Sequence, residues 1–142
     1  MRGGAPLLAL LMAVVGCVGE SAAEDGRYSL VVDTTAPASV DATGELRVRV
    51  EPSAGWKLSQ EAPVRLTLDQ TEGLTFAAPE QRSGDAVSHT EKALEFATDY
   101  RVSTPERRQA SGLVKFGICQ SEDRCSIVRH PLHVELGGAA RP

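Results

Sequence analysis

Residues 46–50 read Leu-Arg-Val-Arg-Val, a strict alternation of apolar and charged side chains. Successive side chains of a β-strand point to opposite faces, so this pattern predicts a strand with one buried and one wet face. The same period of two recurs at residues 64–69, 94–99, 114–118 and 132–136. Turn-forming residues separate these stretches, and no run of ten residues carries a helical stripe. The chain is therefore predicted to be all-β.

Strand length and spacing narrow the fold class further. Seven or eight short strands, joined by turns over about 110 residues, are typical of an immunoglobulin-like antiparallel β-sandwich. A small barrel is the alternative architecture. The 142 residues leave room for one domain, predicted over residues 28–142. The net charge of −4 argues against a nucleic-acid partner.

The first residues predict export. Arg2 precedes an apolar run at residues 7–15, which is too short to span a bilayer and is typical of a secretory signal. The run ends at Val14-Val15-Gly16-Cys17, which resembles a bacterial lipobox.

The lipobox predicts a signal peptide over residues 1–16, a lipidated Cys17 and a flexible tether over residues 17–27. The protein would be a periplasmic lipoprotein held by its lipid anchor, with the outer membrane favoured. The competing cleavage site follows Ala23 and would give a secreted protein without a lipid.

The other two cysteines frame a predicted hairpin. Cys119 ends the strand at residues 112–118, Cys125 opens the strand at residues 126–136, and five polar residues separate them. Cysteines at the base of such a loop can lie opposite one another, within the ~4.4–6.8 Å between Cα atoms that a disulfide requires. Export favours that bond. Closing so short a loop contributes only about 2 kcal/mol, which suits a pair that opens and closes.

This hairpin resembles a known family, the N-terminal periplasmic domain of the thiol:disulfide interchange protein DsbD. The resemblance rests on the run from Gly112 to Cys119, on the five-residue spacing to Cys125, and on Leu46–Val50 followed by Gly55-Trp56-Lys57-Leu58. It covers roughly residues 40–136 and implies an immunoglobulin-like sandwich with a redox-active cysteine pair.

The resemblance also implies a function. Cys119 and Cys125 would exchange thiols with other proteins, as a component of protein-disulfide reduction that needs no bound cofactor. Cys125 would carry the mixed disulfide and Cys119 would resolve it. The partners would be thioredoxin-like proteins or a DsbD-type membrane reductant. A cap loop would lie within residues 81–89, where Asp85 is the acidic residue that matches.

Two other interpretations stay open. The Cys119–Cys125 pair is equally well explained as an inert structural disulfide in a non-catalytic binding or scaffolding lipoprotein. The two cysteines with His130 and His133 supply four residues of metal-binding type, but their spacing fits no usual zinc pattern. No metal is therefore predicted.

Overall fold

A computed structural model describes residues 19–22, 26–121 and 123–137. The predicted signal peptide at residues 1–16 and the predicted lipidation site Cys17 lie outside the described residues. Within them, no helix has the length and apolar character needed to cross a bilayer.

The described residues form eleven strands and one 3₁₀ turn, η1 (Ser83–Asp85). The strands are β1 (Gly19–Ala22), β2 (Tyr28–Thr35), β3 (Thr43–Pro52), β4 (Lys57–Leu58), β5 (Arg65–Leu68), β6 (Leu74–Phe76), β7 (Glu80–Arg82), β8 (Ser88–His89), β9 (Leu94–Val102), β10 (Arg107–Ser121) and β11 (Arg124–Gly137). The sequence predicts seven or eight of them. Strands β1, β4, β6, β7 and β8 lie outside the alternating stretches quoted above and have two to four residues each.

The strands form two antiparallel sheets. The six-stranded sheet has the order β1-β2-β3-β9-β6, with β8 also paired to β9. The five-stranded sheet has the order β11-β10-β5-β7, with β4 also paired to β10. This arrangement confirms the predicted all-β, immunoglobulin-like sandwich over the alternative barrel.

The core fills the space between the sheets with the apolar residues of the alternating stretches. Val48 and Val50 of β3 face the interior, as do Val114, Phe116 and Ile118 of β10, and all five are at most 1% exposed. Removing a side chain of this size from water stabilises the fold by about 1.5–3 kcal/mol. Trp56 is partly buried and packs against this core.

Strand β1 is not visible in the sequence pattern. Gly19 lies opposite Val32 and Ala22 opposite Ser29, so part of the segment predicted to be a tether extends the six-stranded sheet. The sequence Gly-Glu-Ser-Ala has no apolar alternation. A ladder of backbone hydrogen bonds to a neighbouring strand requires none, which is why the hydrophobic pattern gave no sign of this strand.

Tyr28, the first residue of β2, ties the two sheets together. Its ring meets the edge of Phe116 with 4.9 Å between centroids, and its hydroxyl lies 2.8 Å from Nδ1 of His130 on β11. Partial burial lowers the pKa of His130 below its ordinary value. The folded state therefore favours the neutral imidazole.

That preference predicts a loss of stability in acid. Below the ordinary histidine pKa of about 6.5, the unfolded chain binds a proton at residue 130 more readily than the folded chain does. The free energy of unfolding should fall from pH 7.5 to pH 5, and His130→Gln should reduce that fall in urea titrations at both pH values. His133→Gln, at an exposed position on the same strand, is the matched control. An unchanged fall in His130→Gln would contradict the assignment.

Candidate functional site

The β10–β11 hairpin brings the two predicted cysteines together. Cys119 and Cys125 are direct partners in the antiparallel ladder, and their sulfurs are bonded. The predicted disulfide is therefore present. Its Cα atoms are 4.0 Å apart, slightly below the expected range.

The disulfide lies on the outer face of the five-stranded sheet. Phe116 and Ile118 point into the core, so Gly117 and Cys119 project from the opposite side of β10. Across the ladder, Ile127 pairs with Gly117 and shares that face. Ile127 is 46% exposed, so an apolar side chain lies two residues from Cys125 at the surface.

The two sulfur-bearing residues differ in their access to solvent. Cys119 is only 3% exposed, whereas Cys125 is exposed. A thiolate that attacks a disulfide must approach one sulfur along the S–S axis, opposite the sulfur that leaves. Residue burial therefore makes Cys125 the more accessible of the two cysteines to an attacking thiolate.

Cys119 is covered from the side of β4. Lys57 is its direct ladder partner there, and the backbone N–H of Ser59 donates to the carbonyl oxygen of Gly117 over 2.9 Å. The chain then turns back over β10. A Cβ placed on Gly117 would lie 2.5 Å from that of Ala62 and 3.0 Å from that of Ser59. We call residues 57–62 the covering segment.

A second layer holds the covering segment in place. Leu58 donates its N–H to the carbonyl oxygen of Glu91 over 2.9 Å. Nε2 of His89 lies 3.3 Å from the carbonyl oxygen of Ser59, and the side-chain amide of Gln60 donates to the carbonyl oxygen of His89 over 3.4 Å. His89 ends the predicted cap region, so that region supports the covering segment at this point.

Asp85 lies at the end of η1, on the exposed connection between β7 and β8. Its Oδ2 accepts a hydrogen bond of 3.0 Å from the backbone N–H of Arg82, which closes its own turn. The role of Asp85 in a cap loop stays a prediction.

Sequence reasoning missed the covering segment. Gly55-Trp56-Lys57-Leu58 resembles an early turn of the DsbD domain. Nothing in that stretch indicates its contact with Cys119, because Lys57 and Cys119 are more than sixty residues apart in sequence. The one local signal is Gly117. A glycine between Phe116 and Ile118, in the middle of a strand, indicates that another part of the chain comes close.

Fold and site together define a class of protein: an immunoglobulin-like β-sandwich with a disulfide across its last hairpin, one cysteine buried and the other exposed. A solved structure of similar fold is the N-terminal periplasmic domain of ScsB, a DsbD-like protein, from Proteus mirabilis. The TM-score is 0.50 at 12% sequence identity, and the similarity covers 82% of this chain and 50% of that chain.

At this identity the similarity is one of fold, and it confirms at that level the resemblance to the DsbD N-terminal domain. The chain spans about half the length of the ScsB domain it matches. No protein-family model and no curated protein sequence matches the chain.

The contact at Gly117 leads to a prediction. Gly117→Ala forces the covering segment away from β10 and should uncover Cys119. After reduction, alkylation followed by peptide mass spectrometry should modify Cys125 much faster than Cys119 in the original chain, and the two rates should converge in the variant. Gly84→Ala, where an added Cβ meets nothing within 4 Å, is the matched control. Equal rates in the original chain would contradict the covering role.

Proposed function

We propose that this chain is an exported thiol–disulfide exchange module, which passes two electrons between proteins through Cys119 and Cys125. The observation that carries the proposal is the difference in burial between the two cysteines of one disulfide. A bond kept only for stability has no need of an accessible sulfur, whereas exchange with a large protein partner depends on one. The fold shared with a DsbD-like periplasmic domain supports the same function and a periplasmic location.

The exchange follows from the geometry in two steps. A partner thiolate attacks Sγ of Cys125, the bond between the cysteines breaks, and its electron pair leaves on Sγ of Cys119. A second thiolate of the partner then attacks the partner's own sulfur in the mixed disulfide and releases Cys125. The partner is oxidised to a disulfide, and this chain holds both electrons as two thiols. The reverse sequence reduces an oxidised partner.

The reduction potential tests this function. An exchange pair should have a potential between about −270 and −120 mV, where thiol–disulfide proteins of the thioredoxin type lie. Equilibration with glutathione or dithiothreitol buffers, followed by alkylation, measures it. A potential below about −300 mV would contradict exchange and identify a structural disulfide in a binding or scaffolding protein.

Trapping provides a second test in cells. Cys119→Ala removes the resolving thiol, so Cys125 should accumulate a mixed disulfide with a thioredoxin-like or DsbD-type partner, visible as a band that disappears on reduction. Cys125→Ala is the matched control and should capture several-fold less, because Cys119 is buried. A variant with both Cys119→Ala and Cys125→Ala measures any capture that occurs through Cys17. Equal capture by the two single variants would contradict the assigned roles.

We further propose that Cys17 carries a lipid that anchors the module to a membrane, with the outer membrane favoured. Strand β1 supports this choice of cleavage site. Processing before Cys17 retains Gly19–Ala22 in the sheet, whereas cleavage after Ala23 would remove the strand.

Lipidation is tested by the mature mass and by fractionation. The original chain should begin at Cys17, carry acyl groups and sediment with membranes, while Cys17→Ser should lose the acyl mass and the membrane association. Ser21→Thr, at the alternative site, should leave both unchanged. A mature chain beginning at Glu24 would identify the secreted form instead.

A further inference from the structure

Lys57 has a distinctive position relative to the disulfide. It lies directly opposite Cys119 on the β4 side of β10, while Cys125 lies directly opposite on the β11 side. Opposed residues of antiparallel strands project from the same face, with Cβ atoms about 4.5–5.5 Å apart. Lys57, Cys119 and Cys125 therefore form one row across three strands, with the buried sulfur in the middle.

The proposed exchange places negative charge on that buried sulfur in both directions. When a partner attacks Cys125, Sγ of Cys119 leaves as a thiolate. When this chain reduces a partner, Cys119 must become a thiolate before it attacks Cys125 and releases the partner. The two directions share this state because they are the reverse of one another. A thiolate at a residue only 3% exposed has little contact with water to stabilise it.

We propose that Lys57 is a positioning residue for this exchange, whose ammonium group lies beside the Cys119 sulfur and stabilises its negative charge whenever the Cys119–Cys125 bond is open. This inference rests on the proposed function for its role, but the charge interaction exists in the reduced protein without any partner. Lys57 is partly exposed, so its ammonium keeps contact with solvent while its stem covers Cys119.

Other charged groups lie on the elements around Cys119, and their signs are mixed. They are Lys115 on β10, Arg124 and Arg129 on β11, Asp123 in the hairpin turn, Glu61 in the covering segment, Glu91 and Lys92 in the turn that binds Leu58, the titratable His89 beside Ser59, and Arg27 over the ring of Trp56. Glu122 lies outside the described residues. None of these described residues is a ladder partner of Cys119, whereas Lys57 is. The strand register therefore singles out Lys57 as the charged residue directly opposite Cys119.

The test measures thiolate formation at Cys119 alone. Full-length chains carrying Cys17→Ser and Cys125→Ser retain Cys119 as their one cysteine, and thiolate absorbance near 240 nm is followed against pH. Lys57→Met should raise the midpoint of thiolate formation by about one pH unit, at the lower end of what a neighbouring opposite charge produces. Lys57→Glu should raise it further, and Lys57→Arg should leave it nearly unchanged.

Lys115→Met is the matched control. Lys115 projects from the same face of β10 four residues before Cys119. The same charge is therefore removed about 13 Å away, and the midpoint of thiolate formation should stay unchanged.

In chains with the intact disulfide, Lys57→Met should slow reduction by dithiothreitol about two- to threefold, because the leaving thiol becomes more basic. If Lys57 had only a structural role, neither the midpoint of thiolate formation nor the rate of reduction would follow the charge at residue 57.

The outcomes separate this inference from the proposed function. A midpoint that is the same in Lys57→Met, Lys57→Glu and the original chain would overturn the role of Lys57, whatever the reduction potential. A midpoint that follows the charge at residue 57 supports the role, even if no partner is trapped. Far-UV circular dichroism checks the fold of each variant, and Lys57→Gln replaces Lys57→Met if the apolar side chain proves destabilising.

Discussion

The register between β10 and β11 is the constraint on which the rest of the site depends. The two strands pair from Arg107 opposite Gly137 to Cys119 opposite Cys125. Side chains alternate between faces with a period of two, so a slip of one residue would send the two sulfurs to opposite sides of the sheet. Burial of Phe116 and Ile118 on β10 and of Val128 and Leu132 on β11 opposes that slip, because turning either strand over would expose its buried side chains. The core of the sandwich thus determines where the disulfide forms.

A second constraint comes from the other side of β10. Along its length β10 pairs with β11 on one side and with β5 and then β4 on the other, so Cys119 lies in the interior of the sheet while Cys125 lies on its edge strand. An edge strand keeps one side open to solvent and to other chains. The unequal burial of the two cysteines therefore follows from strand order. The covering segment strengthens the difference by closing over Gly117.

Several features could be read from the sequence because their causes are local. Alternation in β3, β5, β9 and β10 predicted the strands and their buried faces, and the five-residue spacing between the cysteines predicted their pairing. The covering segment could not be predicted in this way, because Lys57 and Cys119 are brought together by the packing of strands far apart in sequence. Gln81 is a similar case. It is 2% exposed and donates to the carbonyl oxygen of Ala97 over 2.9 Å, a partner that only the folded chain supplies.

Strand β1 has a consequence for how far the module can reach. It begins two residues after Cys17, and two residues of extended chain span at most about 7 Å. Gly19 lies beside Val32 in the middle of β2, whereas Tyr28 at the start of that strand contacts Phe116 of β10. Val32 and Tyr28 are separated by four residues, or about 13 Å of strand. A lipid at Cys17 would therefore hold the β1 edge of the six-stranded sheet close to the bilayer surface, because the connection between them is so short.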